Sequence, residues 1–392
     1  MQFVAKSKRQ NVSAAEEPTL REFVLGKIRR DGPVPFAWFM EQALYHGAHG
    51  YYSSGRARIG RGGDYFTNVS VGPLFGRLLA AQFAEMWEML GRPEEFTLVE
   101  QGAHGGELAS DVLRAAGEQA TEFSRALRYR IVEPFAVLQA RQRATLQEFG
   151  AQAEWYKSVA AMPLFQGVHL SNELLDAMPV HVVRWSDGEW QERHVGESGG
   201  EFEWVDLPLA DGRVAEQLRK ITMLLPDGYE TEVNLAALDW IETLAPKLTR
   251  GFVVVVDYGY RREKFYAPHR STGTLRSYAK HQVVSSSLAQ IGDIDITAHV
   301  EWDSLAEQAQ QSGLTVAGFA DQHHFITGLL AAEVRDEEAA TPKPKTQRAL
   351  QTLLHPEHLG MKFQFLVLAK GVATAAELSG LRFAKTLDQL SG

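Results

Sequence analysis

The chain has no cysteine among its 392 residues. Disulfides, thiolate nucleophiles and thiolate metal sites are therefore excluded. It also lacks long apolar runs. None approaches the roughly 20 residues needed to span a bilayer, so no membrane insertion is expected. Basic charge is outweighed: 40 Lys and Arg face 49 Asp and Glu, for a net charge of −9. That balance argues against general binding to a phosphate backbone, and no nucleic acid partner is expected. The first residues, with Lys6, Lys8 and Arg9 and no acid before Glu16, lack the apolar core of a secretory signal. A frayed tail over 1–18 is expected, with a short organelle-targeting segment as the alternative. No G-x-S-x-G nucleophile elbow occurs. His281, Asp295, His299 and the pair His323-His324 lack compact ligand spacing, so no metal is expected.

Strand and helix patterns alternate through the middle of the chain. Residues 19–46 read as helices with apolar spacing, broken by Pro33 and Pro35. A loop rich in Gly, Tyr and Arg runs from Gly47 to Gly72, and residues 73–90 read as an amphipathic helix. Strands follow near 96–100, 128–133, 153–158, 166–172 and 251–257, with helices near 106–117, 135–149 and 234–248. Apolar strands alternating with helices imply a parallel sheet covered on both faces. Two segments interrupt it. Residues 180–207 read as an antiparallel hairpin, and a second insertion runs from Tyr258 to about Ala298. A helix over 301–312 leads to two closing strands, Leu314–Phe319 and Met361–Ala369, without a conventional crossover; this predicts an antiparallel edge strand. The charged, Ala/Pro-rich stretch Asp336–Lys345 reads as a mobile loop, and no internal repeat is present.

Three strand tips carry the chemistry. Leu98-Val99-Glu100 runs into the turn Gly102-Ala103-His104-Gly105-Gly106 and a helix. Such a turn brings backbone close to a ligand and points helix N–H groups at it. The next strand ends on Glu133, an acid suited to accept bonds from a ribose diol. A third ends in Asn172-Glu173, with Asp176 close behind. In a parallel sheet these tips face one crevice. They predict a nucleoside-like cofactor with carboxylates beside it. The plain alternative for Asn172 is a helix N-cap with acids in the first turn. Asp257 closes the run Val253–Val256 and is a further candidate. The interval from Gly102 to Glu133 exceeds the roughly 20 residues of the nicotinamide fingerprint, which disfavours a dehydrogenase.

Several blocks in register resemble the MidA family of S-adenosylmethionine-dependent methyltransferases, over about residues 20–370. Its G-D-F-x-T pattern stands here as Gly63-Asp64-Tyr65-Phe66-Thr67, with one residue inserted or substituted. Its N-E-x-x-D-A-x-P block matches Asn172, Glu173, Asp176, Ala177 and Pro179. D-Y-G matches Asp257-Tyr258-Gly259, G-T-L-R-x-Y matches from Gly273 onward with His281, and D-I-T-A-H-V matches Asp295–Val300. The resemblance implies a Rossmann-like seven-stranded methyltransferase sheet over 93–370, with insertions at about 180–232 and 258–298. A helical segment and cofactor-covering loop would occupy 19–92, and a C-terminal tail 371–392. It implies S-adenosyl-L-methionine as cofactor, with Thr67, Glu100, Gly102, His104, Gly105, Glu133 and Asn172 around it. Glu173 and Asp176, with Asp257 as a third, would hold a guanidinium, since carboxylates bond it bidentately. One departure matters. The family turn is E-x-G-x-G-x-G, and His104 stands at its second glycine. Either the turn tilts and His104 contacts the ligand, or cofactor affinity falls.

Mitochondrial members of this family are arginine methyltransferases that assist assembly of respiratory complex I. The resemblance therefore implies protein arginine N-methylation, with a respiratory NADH dehydrogenase subunit as partner. The location would be cytoplasmic, or the mitochondrial matrix in a eukaryote. A small-molecule methyltransferase and a non-catalytic assembly factor are the alternatives. Tyr51, Tyr52, Trp185 and Trp190 suit a homodimer interface and a client surface equally.

Overall fold

The computed structural model describes residues 18–56, 67–279, 282–284, 286–333 and 344–384. Gly63–Phe66, His281 and most of Asp336–Lys345 lie outside the described residues. The central sheet contains β1 (Phe96–Gln101), β2 (Leu127–Val132), β3 (Ala153–Tyr156) and β4 (Phe165–Asn172), then β5 (Leu248–Tyr260), β6 (Thr315–Asp321) and β7 (Phe363–Lys370). Their spatial order is β3-β2-β1-β4-β5-β7-β6. The first five are mutually parallel; β7 runs antiparallel to both β5 and β6. The antiparallel strand is thus one in from the edge, not the edge itself. Order reverses between β1 and β4, and such a switch point opens a crevice at the carboxyl ends of the strands.

The strand β5 shows why its sequence carries no alternation. Phe252, Val254 and Val256 pack on one face against helices Leu74–Met89 and Glu107–Gln119; Val253 and Val255 pack on the other against Leu235–Leu244 and Trp302–Gln311. All five are fully buried. Each such side chain contributes roughly 1.5–3 kcal/mol of hydrophobic burial. Three strands also approach closely in one row, Thr97–Gly167–Gly251. Gly167 and Gly251 have φ of 144° and 138°, and a Cβ on Gly167 would lie 2.0 Å from the Thr97 carbonyl oxygen. Only glycine fits there.

The insertion is larger than a hairpin. Strands His181–Ser186, Glu189–Ser198 and Glu201–Pro208 join Val34–Pro35 and Glu230–Val233 in a second, five-stranded sheet. The N-terminal helices Leu20–Asp31 and Phe36–Tyr45 pack onto this sheet around Phe36, Phe39 and Val195, so they form one layer with the insertion. Tyr51 is buried in that layer, and the half-buried Tyr52 donates its hydroxyl to Asp295. Trp185 and Trp190 pair with each other, ring centroids 5.3 Å apart. Nor is 371–384 a tail. Leu378 and Leu381 enter the main core, and the Ser379 and Gly380 amides donate to Glu85 and Gln82. Among the described residues, no helix is long and apolar enough to cross a membrane.

Candidate active site

A cavity of about 990 Å³ opens at the carboxyl ends of β1, β2, β4 and β5. The glycine turn after β1 forms one wall. Gly102 has φ 86° and His104 has φ 44°, so His104 keeps the left-handed backbone that a glycine would take. His104 is among the residues that line the cavity. Gly105, expected beside the cofactor, does not reach the wall; its α-carbon faces the Glu107 carboxylate. Glu100 lines the cavity while accepting the Tyr129 hydroxyl at 2.7 Å. Burial raises its pKa to about 7.

Glu133 stands at the tip of β2 and lines the same space. Its two oxygens accept the Phe135 amide and the Gln142 side-chain nitrogen, each at 3.0 Å. An ionised carboxylate has about four acceptor positions, so two remain for a diol. Burial raises its pKa. Gln142 was missed by sequence reasoning. Fully buried, it also donates to the His104 carbonyl and accepts the Trp155 indole N–H, tying the glycine turn to Glu133. The signal was a glutamine four residues after Leu138 on the buried stripe of its helix.

The opposite wall is acidic. No helix follows Asn172, so it is not an N-cap; residues 173–180 form turns. Asn172 donates to Glu173 Oε1 at 3.1 Å, and its buried Oδ1 has no hydrogen-bond partner among the described residues. Glu173 has φ 55°, a strained value for a residue with a side chain. The Tyr258 hydroxyl donates to its Oε2 at 3.3 Å. Burial, then the neighbouring Asp257, raises the Glu173 pKa to about 8. Asp176 is raised well above its ordinary value by burial and by Asp257, Glu173 and Asp295. Glu173, Asp176 and Asp295 all line the cavity.

Asp257 does not. It is fully buried, and its Oδ2 accepts the amides of Leu174, Leu175 and Asp176 at 3.2, 2.9 and 3.3 Å, while Oδ1 accepts that of Tyr258 at 2.8 Å. It fixes the turn that presents Glu173 and Asp176. The sequence placed it among the acceptor carboxylates because a strand-tip acid looks the same whether it faces ligand or backbone. Asn234 supports the same turn, donating to the Leu175 carbonyl at 3.0 Å while capping its own helix. Tyr45, Tyr52 and Tyr278 complete the wall; Tyr45 stacks on Tyr52 and on Phe135. Thr67 closes one side and is held to Ser70 by a hydroxyl–hydroxyl bond of 2.9 Å. Among the described residues, no cluster is arranged to hold a metal ion.

The sheet order and the three acid-tipped strands define a nucleoside-cofactor methyltransferase fold. Residues 78–320 match the family model described as "Putative S-adenosyl-L-methionine-dependent methyltransferase". The chain belongs to this S-adenosylmethionine-dependent methyltransferase family. A Burkholderia thailandensis protein crystallised with S-adenosyl-homocysteine is 30% identical; the match covers 94% of this chain and 96% of that one, with a TM-score of 0.85. The Drosophila melanogaster "Protein arginine methyltransferase NDUFAF7 homolog, mitochondrial" is 27% identical over 91% of this chain and 86% of its own length. The Homo sapiens protein arginine methyltransferase NDUFAF7, mitochondrial, is 26% identical over 90% and 83%. The residues present fit the cofactor: Glu133 has spare acceptor positions, the Gly102–His104 backbone forms a turn at the wall, and Val132 and Leu138 add apolar surface.

Proposed function

We propose that the protein is a protein arginine N-methyltransferase. The carrying observation is the group Glu173, Asp176 and Asp295 lining one cavity, Asp176 and Asp295 buried and Glu173 half-buried, with no Lys, Arg or His in an ion pair with Glu173 or Asp176 among the described residues. A buried carboxyl is costly to ionise, and a cation that joins it removes that cost. A planar guanidinium meets that need with two or more N–H···O bonds. The relatives named protein arginine methyltransferases support the same reading.

On this reading Glu133 binds the ribose hydroxyls, the Gly102–His104 turn lies along the methionine end, and Thr67 and Asn172 close over it. S-adenosylmethionine, when bound, supplies an electrophilic methyl carbon. Glu173 and Asp176 fix the guanidinium plane and aim one nitrogen at that carbon. Alignment and exclusion of water then lower the barrier. As the N–C bond forms and the C–S pair returns to sulfur, the nitrogen must lose a proton. Glu173, ionised once the guanidinium is bound, accepts it. A respiratory NADH dehydrogenase subunit is the proposed acceptor. The compartment would be the mitochondrial matrix in a cell with mitochondria and the cytoplasm otherwise. The test is to incubate the protein and methyl-tritiated S-adenosylmethionine with a cell extract, then hydrolyse the protein fraction. Label in methylarginine supports the proposal. Label confined to small molecules, or no transfer, overturns it.

A further inference from the structure

Part of the acceptor wall comes from the second insertion and the residue just after it, where Arg276, Tyr278, Thr297 and His299 line the cavity. Its two segments pair as antiparallel strands, Arg276 with Thr297 and Tyr278 with Asp295, and a carboxylate from outside adds a further tie. Glu232, on the strand Glu230–Val233 of the five-stranded sheet, reaches across to it. Its Oε1 accepts the amides of Thr274 and Leu275, each at 2.9 Å. Its Oε2 accepts the Thr274 hydroxyl at 3.0 Å, and that hydroxyl in turn accepts the His299 amide at 3.0 Å. One carboxylate thus joins both ends of the wall, the start of the Arg276–Ala279 strand and the segment after Asp295–Thr297.

The backbone is shaped around this carboxylate. Successive N–H groups after a left-handed glycine form a concave anion nest. Gly273 has φ 64°, and a Cβ there would lie 2.1 Å from Glu232 Oε1. Glu232 is buried and does not line the large cavity, so it touches no ligand there. Its bonding capacity is spent on the wall.

We infer that Glu232 is a positioning residue for the acceptor pocket, through which the inserted sheet sets the placement of Arg276, Tyr278 and His299. This rests on the arginine reading for what the pocket holds, but the clamp itself does not. The geometry also assigns a division of labour: Asp257 sets the turn that carries Glu173 and Asp176 from within the main sheet, and Glu232 sets the adjoining Arg276–His299 segments from the insertion.

The test compares wild type with Glu232→Gln, and with Thr274→Val as a milder variant that keeps the two backbone bonds to Glu232. Three readouts are taken on each. S-adenosyl-homocysteine affinity by calorimetry reports the cofactor half. Amide hydrogen exchange over 273–279 and 297–299 reports the clamp. Affinity of the S-adenosyl-homocysteine-loaded protein for N-acetyl-arginine amide reports the acceptor half. Expected for Glu232→Gln are cofactor affinity within twofold, at least tenfold faster exchange in those two segments, and at least tenfold weaker probe binding. Thr274→Val should show a smaller change, centred on His299. Unchanged exchange in both variants overturns the clamp. Faster exchange with unchanged probe affinity overturns the positioning role. Cofactor affinity falling in parallel with probe affinity in both variants also overturns it, because the effect is then one of general folding. A wild type that binds S-adenosyl-homocysteine but not the probe overturns the arginine reading instead, and with it the assignment of this wall to a guanidinium pocket.

Discussion

At the scale of single residues, the two halves of the cavity should separate cleanly. Glu173→Gln and Asp176→Asn keep the shape of the wall but remove the charge a guanidinium meets. A hydrogen bond to a charged group contributes about 1.5–3 kcal/mol. Each variant should therefore lose methyl transfer by about 10- to 100-fold while S-adenosyl-homocysteine affinity stays near wild type. Equal loss of both in calorimetry and turnover would deny the division. Glu133→Ala should do the reverse. It removes an acceptor for the diol and leaves Gln142 without one of its partners, so cofactor binding should weaken by about 1–3 kcal/mol. Unchanged affinity would remove Glu133 from the ribose site. His104 carries a different question. Its φ of 44° costs a side-chain-bearing residue roughly 1–2 kcal/mol. In His104→Gly that strain is relieved, partly offset by the greater chain entropy of glycine. Urea unfolding should show no loss of stability, and a gain of up to about 1 kcal/mol. A clear loss would mean that the imidazole makes contacts worth more than the strain.

At the scale of elements, what was legible in the sequence depended on whether one physical signal sufficed. The strands Phe96–Gln101 and Leu248–Tyr260 announced themselves by apolar runs buried on both faces, and Glu133 by its place at a strand end. The antiparallel position of Phe363–Lys370 was half legible: the missing crossover gave its direction, but which neighbours it joins depends on contacts far apart in sequence. Val34–Pro35 was not legible as a strand at all, since two residues carry no periodicity and take their form from pairing with Val195 and His194. Asp257 and Gln142 show the same limit within the site, because composition does not reveal whether a polar side chain bonds backbone or ligand. Close strand approach is equally silent, and it gives a sharp prediction. Gly167→Ala would force its Cβ into the Thr97 carbonyl in the middle of the central sheet. A steric conflict with the backbone of a neighbouring strand cannot relax by a rotamer change, so destabilisation should exceed about 4 kcal/mol. The variant is expected in the insoluble fraction on expression, or with a strongly lowered urea midpoint. A soluble protein of wild-type stability would mean that the strand row is wider than described.

At the scale of the whole molecule, the buried acids should set the direction of the pH dependence. Glu173 has its pKa raised to about 8, and Glu100 and Asp257 theirs to about 7. Unfolded carboxyls titrate near about 4. Between these values the folded chain holds protons that the unfolded chain has released, so stability falls as pH rises. Two buried histidines act the other way. His169 and His299 are lowered to about 3 and about 4, so below about pH 6.5 the unfolded chain binds protons that the folded chain excludes. Their contribution therefore rises with pH and is complete once the unfolded histidines are neutral. The two effects oppose each other below pH 6.5, and the carboxylates act alone from there to about pH 8. In that window the urea midpoint of the ligand-free protein should fall steadily with pH. A bound guanidinium changes the sign, because it favours the ionised acids that cost the empty protein stability. Binding of N-acetyl-arginine amide should therefore release protons and tighten from pH 6.5 to 8, measured by calorimetry in buffers of different ionisation enthalpy. A stability that rises across the window, together with pH-independent probe affinity, would mean that Glu173 and Asp176 are already ionised in the empty cavity. The acceptor would then meet a preformed anionic wall, and proton release would no longer accompany its binding.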